Sequence, residues 1–321
     1  MAKEESLNSN PTIRQKLVGI EKKVSAKSIS TWLSSEVKIL STEKEIRETQ
    51  QVRFFIPIFI PLVQKESLVL EEAESIWWGE IELKNKLRTH NLTWWPISGQ
   101  VLEDDNELLA RFQEVFRVSA TVIKDQNYFQ AIIAQSKVVW TIKSIESVDT
   151  TAAHIGTLAE QGAKIKKLID DAVMRIMKCA DGVIQGGIDN ADIAIATTPS
   201  VHKALNAHSN LAVRTDSAFA FAKYATSSSV QLDGLYDGIH EFKSTKQMIK
   251  AGLDFVVMVK GSAVSHLFIN IMNKDKVGEN AYWISLEFNE GTRIFFPQLI
   301  TVGAKTATHT SQDAIDTTKK N

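Results

Sequence analysis

The chain has one cysteine, Cys179, in 321 residues. No intrachain disulfide can form, which points to folding in a reducing compartment, the cytosol. Cys179 sits within a helical pattern and is read as a buried thiol, not a nucleophile. An excess of charge of either sign is also missing: the net charge is −1. A protein whose main task is gripping nucleic-acid phosphates carries a clear basic surplus or patch, so that class is disfavoured. Long apolar runs are scarce. The strongest, Phe54-Phe-Ile-Pro-Ile-Phe-Ile-Pro-Leu-Val, is about ten residues with two prolines. It is too short to span a bilayer and reads as an extended segment packed on other protein. The opening Met-Ala-Lys-Glu-Glu-Ser lacks the apolar core of a signal peptide.

Catalytic and phosphate-binding signatures are absent too. Asp181-Gly-Val-Ile-Gln-Gly-Gly lacks the Lys-Ser/Thr of a P-loop, and no strand precedes it as a dinucleotide fingerprint requires. The seven histidines are scattered, and His202 and His208 are six apart, not the three or four that let a helix present both to one metal. There is no His-Glu-x-x-His, Gly-x-Ser-x-Gly or Cys-x-x-Cys. No catalytic residue, cofactor or metal is expected, and the chain is not read as an enzyme. An enzyme whose site assembles only in three dimensions is the alternative of a different class.

What is present is an ordinary globular composition, 44% hydrophobic and 23% charged. The length suggests about two domains. Residues 1–50 mix Lys, Glu, Ser and Thr, with Ile20, Val24, Ile29, Trp32 and Leu33 hinting at one amphipathic helix. They read as a solvated tail or as an arm lying across neighbouring subunits. Two tryptophan pairs, Trp77/Trp78 and Trp94/Trp95, flank an alternating stretch from Glu80 to Arg88. Paired as a hairpin, the two arms would bring the pairs together; alternatively the tryptophans belong to a domain core. A helix is expected after Glu103-Asp-Asp, with Leu108, Phe112, Val115, Phe116 and Ser119 on one face. Tyr128, Phe129, Ile132 and Ile133 would continue it after a break, and 138–142 reads as a short strand.

The strongest helical pattern covers about 151–180, with Ile155, Leu158, Gly162, Ile165, Ile169, Ala172, Val173, Ile176 and Ala180 recurring every three or four residues. Lys164, Lys166, Lys167, Arg175 and Lys178 fall on other faces and, diluted by Asp170, Asp171 and Asp181, read as a solvated surface. Ala191-Asp-Ile-Ala-Ile-Ala-Thr-Thr is a buried strand, and Pro199 opens a short helix. Residues 206–230 read as a loop with one short helix, and those after Lys305 as a frayed or extended tail.

The last quarter, 231–305, organises the chain. Leu232-Asp-Gly-Leu-Tyr-Asp-Gly-Ile-His has Asp-Gly pairs that suit a strand edge turned back on itself. Ala251-Gly-Leu-Asp-Phe-Val-Val-Met-Val-Lys-Gly is a buried strand between glycines, and Leu267-Phe-Ile-Asn-Ile-Met a mixed apolar run. In 281–297, Tyr282, Ile284, Leu286 and Phe288 alternate with polar or exposed positions, and Glu290-Gly291 is expected to form a turn before Arg293-Ile-Phe-Phe-Pro. Gly234, Gly238 and Gly291 are the expected structural turns.

That order of pieces, Gly234 to Ile239, Phe255 to Val264 and Phe288 to Pro297, resembles the C-terminal part of tailed-bacteriophage major capsid proteins. The resemblance implies an α+β chain with the phage major capsid fold: a peripheral domain with a long helix and antiparallel sheet, a central α/β domain, an extended β-hairpin loop and an N-terminal arm. It divides the chain into an arm (1–50), the extended loop (51–100), a peripheral part with the long helix (101–150), the central domain (151–260), return strands of the peripheral domain (261–305) and a tail (306–321). It implies a structural function, with hexamers and pentamers closing an icosahedral shell around double-stranded DNA. The partners implied are other copies of the chain and a separate scaffolding protein, portal and decoration proteins, with no membrane and no sequence-specific DNA contact. The location implied is the virion, assembled in the host cytoplasm. An encapsulin-like shell enclosing a cargo enzyme shares the fold and is the alternative. Trp77, Trp78, Lys84, Arg88, Trp94 and Trp95 are the candidate inter-subunit contacts.

Overall fold

A computed structural model describes residues 23–24, 27–34, 37–57, 80–98, 106–135, 139–144, 155–183, 192–216, 233–236, 240–276 and 281–305. In chain order the elements are α1 (Ile29–Leu33), β1 (Lys38–Ile39), α2 (Glu43–Thr49), β2 (Gln51–Pro57), β3 (Glu80–Lys86), β4 (Arg88–Ser98), α3 (Asn106–Ala134) and β5 (Trp140–Lys143). They continue with α4 (Ile155–Val183), β6 (Ile193–Thr197), α5 (Pro199–Asp216), β7 (Asp233–Tyr236), β8 (His240–Ser244), β9 (Leu253–Val259), β10 (Ala263–Lys276), β11 (Ala281–Ile294) and β12 (Ile300–Ala304). The chain forms two compact units: one gathers 1–56, 82–128 and 264–293, the other 57–81, 129–263 and 294–321.

The second unit is built on a six-stranded sheet of order β5-β12-β9-β6-β8-β7. The pairs β12–β5 and β6–β8 are parallel, and β12–β9, β9–β6 and β7–β8 antiparallel. A parallel neighbour needs a crossover, and α5, started by Pro199, lies in the one between β6 and β8. All five residues of β6 and of β12 are buried, because small and β-branched side chains fit a sheet shielded on both faces. The apolar core joins Ile165, Ile169, Ala172 and Ile176 of α4, Val201 and Ala204 of α5, and Ile193, Ile195, Phe255 and Val257 of the sheet. A Cβ on Gly162 would lie 2.1 Å from the Ala204 carbonyl oxygen, so glycine is what lets α4 and α5 approach this closely.

In the first unit β1-β2-β3 form one sheet and β10-β11-β4 another. Thr42 and Glu45 make a capping box at the start of α2: the Glu45 amide donates to Thr42 Oγ1 (3.3 Å) and the Thr42 amide to Glu45 Oε2 (2.8 Å). Gln50 ends it at φ 50° in the left-handed region. α3 is a single helix with Phe116, Ala120, Lys124 and Tyr128 stacked along one face, each within 3% of full burial.

Several expectations are corrected. The long helix has no break at all. Val115, assigned to its buried face, is 41% exposed, because the inward stripe runs through Phe116 and Ala120 instead. α5 continues to Asp216, well into the stretch read as a loop, since Ala and Asn tolerate a helix once its first turns pack on α4. β5 and β12 are strands of the six-stranded sheet of the second unit. In the described part of 1–50, Val24 and Leu33 are fully buried and Ser28 is tied to α3, whereas most of 38–50 is exposed. The thiol of Cys179 is half-buried.

Gly291 is not a turn. β11 runs unbroken through it, with Glu290 opposite Arg88 on β4. A Cβ there would meet Leu87 Cδ2 at 2.8 Å and the Lys86 carbonyl at 3.0 Å, so close packing on the β3–β4 junction requires the glycine. Gly234 lies inside β7, opposite Phe242 of β8, so the chain does turn back on itself, but beyond Gly234. Gly238, the tail after 305 and residues 217–232 lie outside the described residues.

Candidate functional site

Two arrangements in the first unit stand out, one exposed and one buried. β3 and β4 follow each other with only Leu87 between them, and the alternation expected for Glu80 to Arg88 sets their faces. Asn85 and Leu87 are buried, while Lys84, Lys86 and Arg88 are exposed. The two strands do not pair with each other, contrary to the expected hairpin: β3 hydrogen-bonds to β2 and β4 to β11. Between them the Leu87 amide donates to the Gln50 carbonyl (2.8 Å) at the end of α2. Each strand is therefore the terminal one of its own sheet, with one backbone edge open among the described residues. Lys84 and Arg88 are placed on this exposed face. Trp94 lies opposite Ile284 in the β4–β11 register, but the side chains of Trp94 and Trp95, and Trp77 and Trp78 altogether, fall outside the described residues.

The buried arrangement joins α3 to the sheet. Glu290 of β11, 2% exposed, accepts through Oε1 from Asn127 Nδ2 (2.7 Å) and meets His90 Nε2 at 3.3 Å. Its Oε2 has no partner, and burial pushes its carboxyl above the usual range against the opposing pull of His90 and Asn127. His90 stacks on Phe288 with centroids 5.2 Å apart. Asn289 donates to Asn270 (3.2 Å), Asn270 donates to Glu287 (2.9 Å), and Thr89 donates to Asn289 (2.8 Å). On α3, Lys124 is 1% exposed and burial lowers its ammonium to about 8. His266 of β10, 4.9 Å from the Phe54 ring, is lowered to about 4, by burial first and the Lys124 charge second. Tyr128 is raised by burial.

Chemically this is a set of ties. Glu287, the asparagine amides, His90 and Glu290 Oε1 bond one another across α3, β4, β10 and β11, while Glu290 Oε2 and His266 Nε2 are left without a partner. Among the described residues no group of three or more His, Cys, Asp or Glu is placed to hold a metal, and no helix is long and apolar enough to cross a membrane. Sequence reading missed Lys124, Asp125, Asn127 and Glu290. One signal was available: Lys124 occupies the i+4 series Phe116, Ala120, Tyr128, where an apolar residue belongs. In the second unit, the basic face of α4 is solvated as expected, with Lys166 bonded to Asp170 at 2.9 Å. Arg175 departs from it, lying over Trp140 at 4.4 Å and donating to Thr301 Oγ1 at 2.8 Å.

No protein-family model matches the sequence, and no curated protein matches it. Solved structures do. A virus-like particle from Pyrococcus furiosus matches with TM-score 0.50 at 10% identity, over 90% of this chain and 98% of that one. The mature capsid of bacteriophage PhiM1 matches with TM-score 0.49 at 10% identity over 87% of each chain. The capsid of cyanophage P-SCSP1u matches with TM-score 0.47 at 9% identity, over 84% of this chain and 86% of that one. At such identities the likeness concerns the fold alone: the chain has the α+β fold of the virus-like-particle subunit.

Proposed function

We propose that many copies of this chain, as hexamers and pentamers, close the icosahedral shell around the double-stranded DNA of a tailed bacteriophage. The observation that supports this best is two-way coverage: the match to the virus-like-particle chain takes in 90% of this chain and 98% of that one. In this reading the first unit is the peripheral domain and the second the central domain. Lys84 and Arg88, on open terminal strands, and the four tryptophans are contacts between subunits. Assembly takes place in the host cytoplasm, with a separate scaffolding protein and later portal and decoration proteins. The role is structural, without catalysis, and the packaged DNA is enclosed without sequence-specific contacts, in keeping with a net charge of −1.

Sedimentation and electron microscopy test the reading. Closed particles of megadalton mass are expected on expression, with a scaffold supplied where needed. A stable monomer in the presence of all phage partners overturns it. The virus-like-particle match favours a second reading, an encapsulin-like shell around a protein cargo. Purified particles that contain a co-purifying enzyme and no nuclease-protected DNA would select that one.

A further inference from the structure

α1 is five residues long and too short to hold itself, so its order comes from what it touches. The start of this helix closes on one carboxylate of α3. Ser28 Oγ donates to Asp125 Oδ1 at 2.5 Å, the Ser30 amide to the same oxygen at 2.9 Å and the Ile29 amide to Oδ2 at 3.2 Å. Asp125 thus takes the amides that a helix start leaves unpaired, from 95 residues or more away in sequence. One position earlier on α3, Lys124 Nζ donates to Thr31 Oγ1 at 2.5 Å. Val24 and Leu33 of the same segment are fully buried.

The two adjacent residues act in opposite directions. Asp125 is satisfied by three donors. Lys124 is buried with one hydrogen bond and no ion pair among the described residues, although an ammonium has three donors to satisfy. The charged or titratable groups whose fields reach it are Asp125 beside it, Glu290 of β11 and His266 of β10, and none of them bonds it. A buried ammonium with so little compensation regains hydration only when its cover leaves.

We propose that residues 28–34 form a releasable strap, clamped on α3 by Asp125 and held only shallowly because closure buries the Lys124 charge. The closed state fixes the N-terminal segment to its own subunit. The open state frees that segment and bares the Lys124 and Asp125 face of α3. The proposal concerns the subunit itself and stands apart from the shell reading, since its readout requires no assembly.

Hydrogen–deuterium exchange of the full-length protein, in whatever assembly it adopts, tests it through the peptide covering 27–34. Asp125→Ala is expected to speed exchange there about a hundredfold, as loss of the clamp removes three bonds each worth about fivefold in opening, while β9 peptides keep their protection. Lys124→Met is expected to slow it about tenfold. Should Asp125→Ala fail to fold, Ser28→Ala removes the bond to Asp125 together with the cap on the Thr31 amide and leaves α3 intact, with an expected rise of at least about fivefold. Unchanged exchange in Ser28→Ala and Asp125→Ala overturns the clamp. Faster exchange in Lys124→Met overturns the opposing role of Lys124, making it a second clamp.

Discussion

The two units of this chain are held together by different physics. In the second, β6 and β12, buried throughout, and β9, buried but for Asp254, stack against α4 and α5 around an apolar cluster from Ile142 to Leu299. In the first, charges and amides run through the interior: Lys124, Asp125, Asn270, Asn289 and Glu290 are all buried alongside Phe54, Phe288 and Leu286. Apolar burial is non-directional and indifferent to protons. Hydrogen-bonded ties are directional, and their stability moves with pH. One chain therefore combines a unit set by packing with a unit set by polar geometry.

Packing can be broken in the second unit with the largest effect. Phe255 is fully buried, and a Cβ on Gly303, its register partner, would lie 2.1 Å from the ring. Phe255→Ala should cost about 3–5 kcal/mol, read as the shift in urea midpoint of the second unit. The loss should be the same at pH 5 and pH 8. A loss that depended on pH would erase the contrast.

The first unit should lose stability on acidification, whereas in the second the burial-raised carboxyl of Asp254 acts in the opposite direction. The buried His266 takes up its proton only near pH 4, whereas the unfolded chain does so near 6.5. Between those values the unfolded state binds more protons, so stability falls as the solution is acidified. The contribution is whole above pH 6.5 and lost as pH falls through 4, about 3 kcal/mol in all. Unfolding at a series of pH values should show this loss, and His266→Phe should flatten it. Phe fits because the ring packs near Phe54 and Phe268, and Nε2 has no hydrogen-bond partner to lose. An unaltered slope in His266→Phe assigns the loss to other groups.

The smallest effect on folding is expected at the exposed strand face. The double substitution Lys84→Ala, Arg88→Ala should leave the unfolding midpoint within about 0.5 kcal/mol of the parent, as such surface positions usually do. Under the proposed function it should lower the yield of closed particles seen by electron microscopy. A folded double variant that assembles normally would remove these two residues from the inter-subunit surface.

Legibility followed the same division. The strands at 193–197 and 253–259 and the helix α4 were readable because their residues obey one period and one polarity. The hydrogen-bonded ties were not, because no local pattern says that Asp125 will meet Ser28 or that Glu290 will meet Asn127 across 163 residues. The misplaced turn at Gly291 has the same origin. Glu-Gly in an alternating strand looks like a hairpin, yet the glycine answers a distant demand, the approach of Leu87 and Lys86.

The sequence by itself determined the buried strands at 193–197 and 253–259, the helix α4 and the proline start of α5, since all of these rest on short-range periodicity and turn chemistry. Only the tertiary structure decided that β3 and β4 part to different sheets, that α3 runs unbroken with a lysine in its buried face, and that the N-terminal segment folds back onto it. Those outcomes depend on which distant groups satisfy each backbone amide and each buried charge. That competition is settled between segments far apart in the chain and leaves no mark within any one of them.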